Sequence, residues 1–141
     1  MIRNATKAIA EALDAAEIKY RITEPGEGST LIVGFKAENV SSIEIKFISL
    51  DDDNDVAVRL FSLVKVPENK TAQVLTCLNE LNGKFRYVNF YIDSDNDVTI
   101  SYDFPVRTTA DNVGAIGVEM THRFVKIADE AYPMIMKAIW G

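Results

Sequence analysis

Apolar residues at the start of the chain recur at spacings of three and four: Ala5, Ile9, Ala12, Leu13 and Ala16 fall on one side of a helix that Asn4 is placed to cap. The rhythm then changes. Residues 20–23 (YRIT) alternate, residues 24–29 (EPGEGS) carry loop chemistry, and residues 30–37 (TLIVGFKA) form an apolar run of strand length. Residues 42–50 (SIEIKFISL) and 55–66 (DVAVRLFSLVKV) predict two further strands, stopped by Pro67. From about Asn69 a helical period returns, with Val74, Leu75, Leu78 and Leu81 on one face and Gly83 suited to a left-handed helix end. Strands at 85–92 and 97–104 follow, ended by Pro105, and then Val113, Ile116, Met120, Phe124, Ile127, Ala131 and Ile135 mark a long third helix. Pro133 removes a backbone donor and crowds the preceding turn, which predicts a kink or break near Asp129 to Tyr132. Gly114 and Gly117 weaken the start of that helix unless a neighbouring helix or strand must approach closely. The order α-β-β-β-β-α-β-β-α predicts an α+β domain in which helices flank an antiparallel, strongly twisted sheet.

Two near-identical acidic stretches, LDDDNDV at 50–56 and IDSDNDV at 92–98, sit between paired strands. Asp51, Asp53 and Asp55, like Asp93, Asp95 and Asp97, match the first three ligand positions of an EF-hand loop. Position six is Val56 or Val98 instead of glycine, however, and position twelve is Ser62 or Phe104 instead of glutamate. Hairpin turns fit better. If Ile92 faces Val98, then Phe90 faces Ile100 and Val88 faces Tyr102 on an apolar side, while Tyr91, Asn89 and Tyr87 face Thr99, Ser101 and Asp103 on a mixed side. The connection is then of odd length, three or five residues. A three-residue loop places Asn96, and Asn54 in the first copy, in the left-handed position that asparagine tolerates. The same rule pairs Leu50 with Val56 and Ile48 with Val58. It then pairs Ile45 with Phe61 and Ile43 with Leu63 on the opposite face, so both strands of the first hairpin are expected to change phase together.

Composition narrows the class. The 141 residues are 48% hydrophobic and 26% charged, which suits one globular domain over 1–141. A net charge of −6 with singly scattered basic residues argues against nucleic acid and anionic membrane partners. No stretch approaches the length of a membrane span and the start does not resemble a secretory leader, so a cytoplasmic protein is expected. Cys77, the one cysteine, excludes an intramolecular disulfide and a cysteine-built zinc cage, and its spacing from Val74 and Leu81 suggests a packed small hydrophobe. His122, the one histidine, lies away from the apolar stripe of its helix and is expected on the surface. Residues 26–30 (GEGST) lack the ending of a phosphate loop and precede a strand, so they are read as a turn. No catalytic residue, cofactor or metal ligand set is expected. The mixed face of the second hairpin carries Phe85, Tyr87 and Tyr91 around Asn89, which is either covered by a helix or forms a partner or dimer surface.

Residues 75–106 (LTCLNELNGKFRYVNFYIDSDNDVTISYDFPV) combine an L-N-x-L-N helix ending, an aromatic strand, an acidic turn and a D-F-P stop. This stretch resembles the YbjN-like family of bacterial sensory transduction regulators, with Asn96 where glycine is the expected turn residue. The resemblance implies a fold similar to type III secretion chaperones, homodimerisation, and binding of partner polypeptide on the sheet or its edge. The function expected is therefore a non-enzymatic, protein-binding regulator or chaperone-like module. Two alternatives stay open: a small-ligand-binding protein or enzyme using a pocket between sheet and third helix, and a calcium-responsive module.

Overall fold

A computed structural model describes residues 1–52 and 54–141, so Asp53 of the first acidic tip lies outside the described residues. Helices α1 (Asn4–Ala15), α2 (Thr71–Lys84) and α3 (Val113–Trp140) accompany strands β1 (Arg21–Thr23), β2 (Ser29–Phe35), β3 (Ile43–Ser49), β4 (Asp55–Lys65), β5 (Asn89–Ile92) and β6 (Asp97–Pro105). Short 3-10 turns at Glu68–Lys70 and Arg107–Asn112 lead into α2 and α3. The strands form one antiparallel sheet in the order β1-β2-β3-β4-β6-β5, and the predicted order of elements holds.

Register assigns the two faces. One cross-sheet row runs Ile22, Leu31, Phe47, Val58, Tyr102, and beside it lie Leu60, Ile100 and Phe90. These side chains join the buried helix residues Ile9, Leu13, Val74, Leu81, Phe124 and Ile135 in a continuous core. The helices make one layer on that face, with α3 packed between α1 and α2 and lying over β3 and β4. The opposite face reads Arg21, Ile32, Lys46, Arg59, Ser101, Asn89, and no helix of the described residues lies over it.

The second hairpin has the predicted register: Ile92 pairs with Val98, Phe90 with Ile100, Tyr91 with Thr99 and Asn89 with Ser101. The first does not. Phe47 pairs with Val58 and Ile48 with Ala57, one residue from the expected pairing of Ile48 with Val58, so the connection spans an even number of residues. Strand β4 takes its register from β6, where Val56 meets Phe104 and Val58 meets Tyr102 on the core face; the expected pairing would have set buried Phe47 opposite Arg59. Only β4 changes phase. Its ladder with β6 is irregular between Leu60 and Val64, where Ser62 takes a positive φ of 56°, whereas Ile43, Ile45 and Phe47 of β3 keep one alternation throughout.

Element boundaries and faces bring further differences. Asn4 is the first residue of α1 rather than its cap, and its N–H is satisfied by Asp52 Oδ1 at 2.8 Å. Helix α2 runs through Gly83 to Lys84 and ends because Phe85 turns extended; its buried face is Val74, Cys77, Leu78 and Leu81, leaving Leu75 in solvent. Strand β5 begins at Asn89 rather than 85, since Tyr87 adopts a φ of 75° that a strand cannot contain. Helix α3 continues without interruption across Pro133. The carbonyl of Asp129, which Pro133 has no N–H to serve, accepts Asn39 Nδ2 at 3.0 Å, and the Asp129 carboxylate accepts the Asn39 N–H at 2.6 Å. The two glycines behave as expected: a Cβ at Gly114 would stand 2.8 Å from the Ala8 carbonyl oxygen, and one at Gly117 would stand 2.8 Å from Ile9 Cγ2, so α1 crosses α3 here.

Candidate functional site

The aromatic end of the sheet is built on a locally rigid hairpin. The N–H of Asp93 donates to the Asp97 carbonyl at 2.8 Å and that of Asn96 to the Asp93 carbonyl at 2.9 Å, closing a three-residue tip of Ser94, Asp95 and Asn96. Asn96 sits at φ 63°, the left-handed position foreseen for it. The tip is also tied to the end of β4, because Asn96 accepts the Val66 N–H at 2.9 Å on its carbonyl and donates Nδ2 to the Val66 carbonyl at 2.7 Å. Asp93 holds the loop from inside: Oδ1 accepts the N–H groups of Asp95 at 2.9 Å and Asp97 at 3.1 Å, and Oδ2 accepts the buried Thr99 hydroxyl at 2.8 Å. Partial burial alone would raise the Asp93 pKa. The Thr99 and backbone hydrogen bonds, with the nearby Lys65 charge, outweigh it and leave the carboxyl below the ordinary carboxylate range.

Strand β5 is an edge strand, and α2 covers part of that edge. Asn82 accepts the Phe90 N–H on Oδ1 at 2.6 Å and donates Nδ2 to the Phe90 carbonyl at 3.1 Å, taking the place of a neighbouring strand at that residue. An added peptide strand would have to displace this amide. Asn82 belongs to the LNELN helix ending, which reads in sequence as a stop signal and gives no hint of a clamp on residue 90.

Around this edge the four predicted surface residues divide between two sides. Asn89 and Tyr91 point to the face without helices, opposite Ser101 and Thr99. Phe61 lies on that face too, one residue beyond the Leu60–Ile100 pair, with Lys46 Nζ 5.7 Å from its ring centroid. Phe85 and Tyr87 instead wrap to the helix-covered side. Phe85 packs against Phe90 at 6.1 Å between ring centroids, and Tyr87 meets Tyr102 edge-on at 6.0 Å. The Arg123 guanidinium of α3 lies 4.7 Å from the Tyr87 centroid while its Nε donates to Glu119 at 3.1 Å. Burial, with added unfavourable interaction from Tyr87 and Glu119, pushes the Tyr102 hydroxyl above its usual pKa. Alternation predicted one shared face; the left-handed Tyr87 breaks it. The outcome is a ridge that straddles the β5 edge, with Tyr87 55% and Tyr91 39% exposed.

The remaining titratable candidates lie elsewhere. His122 is exposed on α3. Cys77 is buried at the base of a groove between α2 and α3 bordered by Glu80, Met134 and Lys137; burial and then the Glu80 charge push its thiol pKa up, away from thiolate chemistry. Among the described residues no group of three or more His, Cys, Asp or Glu is arranged to hold a metal ion, and no helix is long and apolar enough to cross a membrane.

A family model for YbjN, with the description "Putative bacterial sensory transduction regulator", matches residues 6–135. The chain belongs to the YbjN family. No curated protein and no solved structure matches it. The YbjN match spans the acidic hairpins, the β5 edge and most of α3, so every element that shapes the ridge lies within the family domain.

Proposed function

We propose that this YbjN chain is a single-domain, non-enzymatic regulator that works in the cytoplasm by binding protein, a second copy of itself first, through the ridge of Phe85, Tyr87, Asn89 and Tyr91. The observation that carries the reading is Tyr87. A bulky residue is held at φ 75°, yet more than half of its surface faces solvent, so the strained geometry positions the side chain outward without burying it. Tyrosines that are apolar in body and polar at the tip suit contact surfaces. A standard interface takes about 800 Å² from each partner, more than four side chains provide, so the contact extends across the open face toward Phe61. Because Asn82 occupies the Phe90 backbone groups, recognition proceeds through side chains rather than by strand addition. The raised thiol pKa of Cys77 and the surface position of His122 support a role without covalent catalysis.

Sedimentation equilibrium tests this. The full chain is expected at twice its monomer mass of 15.7 kDa, and the double substitution Tyr87→Ser, Tyr91→Ser is expected at the monomer mass with unchanged circular dichroism. A monomeric parent, or a dimer indifferent to both substitutions, would overturn the assignment of the ridge.

A further inference from the structure

The chain carries 15 Lys and Arg against 21 Asp and Glu. Four of those cations nonetheless surround one cleft. Lys84 and Arg86, at and just beyond the end of α2, face Arg123 and Lys126 of α3 across a cavity of about 340 Å³. Its apolar lining is Phe85 and Ile127, and Glu130 is its one carboxylate. Lys84, Arg86 and Lys126 form no salt bridge among the described residues, and the Lys84 ammonium is held 5.3 Å from the Phe85 ring centroid. Lys84 also complements the carbonyl end of α2, which leaves Arg86 and Lys126 with no such role.

Arg123 is the oriented member of the set. Glu119 engages Nε and the Tyr87 ring lies against the guanidinium, so the edge bearing the two terminal nitrogens remains available for a two-pronged contact with an oxyanion. The cavity volume falls at the small end of the range for small-molecule sites, and cationic walls around an aromatic and aliphatic base suit an anionic head on an apolar body. A nucleic acid or a membrane would need a continued basic surface, and a chain with a net charge of −6 does not offer one.

We propose that this cleft binds a small organic oxyanion, a carboxylate or phosphate group carried on an apolar body. The charged head contacts Arg86, Arg123 and Lys126, and the body rests on Phe85 and Ile127. The cleft shares Phe85 with the ridge and Arg123 leans on Tyr87, but Arg86, Lys126 and Ile127 lie outside the ridge, so substitutions at Arg86 and Lys126 test the site without altering the residues assigned to the dimer contact.

Calorimetric titration of the full chain at fixed ionic strength tests the proposal, using phenyl phosphate and benzoate as probes, benzyl alcohol as the neutral control and inorganic phosphate as the bare anion. At least one aromatic anion is expected to bind saturably and about tenfold or more tighter than benzyl alcohol, and the stronger of the two identifies the head group. The double substitution Arg86→Ser, Lys126→Ser is expected to weaken that binding about tenfold with unchanged circular dichroism, while Arg86→Lys, Lys126→Arg retains it and Lys19→Ser, Lys36→Ser, away from the cleft, has no effect. Absence of saturation by about 10 mM, binding unaffected by the cleft substitution, or benzyl alcohol equal to the anions would overturn the site. Inorganic phosphate binding as tightly as phenyl phosphate would overturn the organic part of the assignment.

Discussion

The tip at residues 92–98 is braced by its own Asp93 and by the adjacent end of β4, whereas the described residues of the tip at 50–56 reach across to the start of α1. In the second tip the Asp93 carboxylate serves its own loop and the strand behind it. In the first, Asp51 turns back to the N–H of Asn54 at 2.9 Å and its Nδ2 at 2.8 Å, while Asp52 extends away: Oδ1 takes the Asn4 N–H at 2.8 Å and Oδ2 meets Arg3 Nη1 at 3.4 Å. Arg3 in turn donates Nε to the Glu27 carbonyl at 2.9 Å, so the start of α1, the turn before β2 and the first tip form one clamp. The two heptapeptides differ at only two positions. Leu50 and Ile92 are both apolar; Asp52 for Ser94 is the change of chemistry, and Asp52 carries the different job. Shared Asp and Asn residues mark the tendency to turn, and the one changed residue marks what the turn holds.

Substitutions can separate these roles. Asp93→Ala removes acceptors from two amides and from the buried Thr99 hydroxyl, so urea unfolding is expected to show a loss of about 2 kcal/mol, the largest effect at either tip. The advantage of the parent over Asp93→Asn is also expected to depend on pH. The folded carboxyl titrates below its unfolded value, so its contribution is complete above about pH 4 and fades as pH falls through the folded pKa. An equal gap between the two proteins at pH 7 and pH 3 would show that the charge of Asp93 is not what stabilises the loop. Asp52→Ser, which makes the first tip resemble the second, is expected to cost about 1 kcal/mol and to speed amide exchange at the start of α1 while leaving the second hairpin unchanged. The reverse change, Ser94→Asp, should alter stability by less than about 0.5 kcal/mol, because Ser94 is an exposed residue of a loop already closed by its neighbours.

What could be read in advance follows the same division between local and distant causes. The second hairpin was legible because its register, odd-length tip and left-handed Asn96 are all set within a dozen residues. The first lies one residue from its local expectation, since β4 aligns on β6, where Val58 meets Tyr102, and that pairing keeps Phe47 and Val58 on one face. Gly114 and Gly117 signalled a close neighbour, and α1 is that neighbour. Pro133 does not break α3 because Asn39, 90 residues before Asp129, supplies the missing donor to the Asp129 carbonyl. At the ridge, strict alternation put Phe85 and Tyr87 beside Asn89 and Tyr91; nothing about a tyrosine announces a positive φ, so the split between two sides of β5 was not visible. The basic cleft is not legible in the sequence because its cations come from two segments that only the packing of α2 on α3 brings together.

The claim that the β5 edge, and neither acidic tip, is the working surface can be tested by amide chemical shifts recorded over a dilution series of the full chain. Residues 85–92 and the open face near Phe61 are predicted to shift together with concentration while residues 50–55 stay fixed. Shifts confined to the acidic tips, or a ridge that does not respond across the range in which the protein self-associates, would contradict the account.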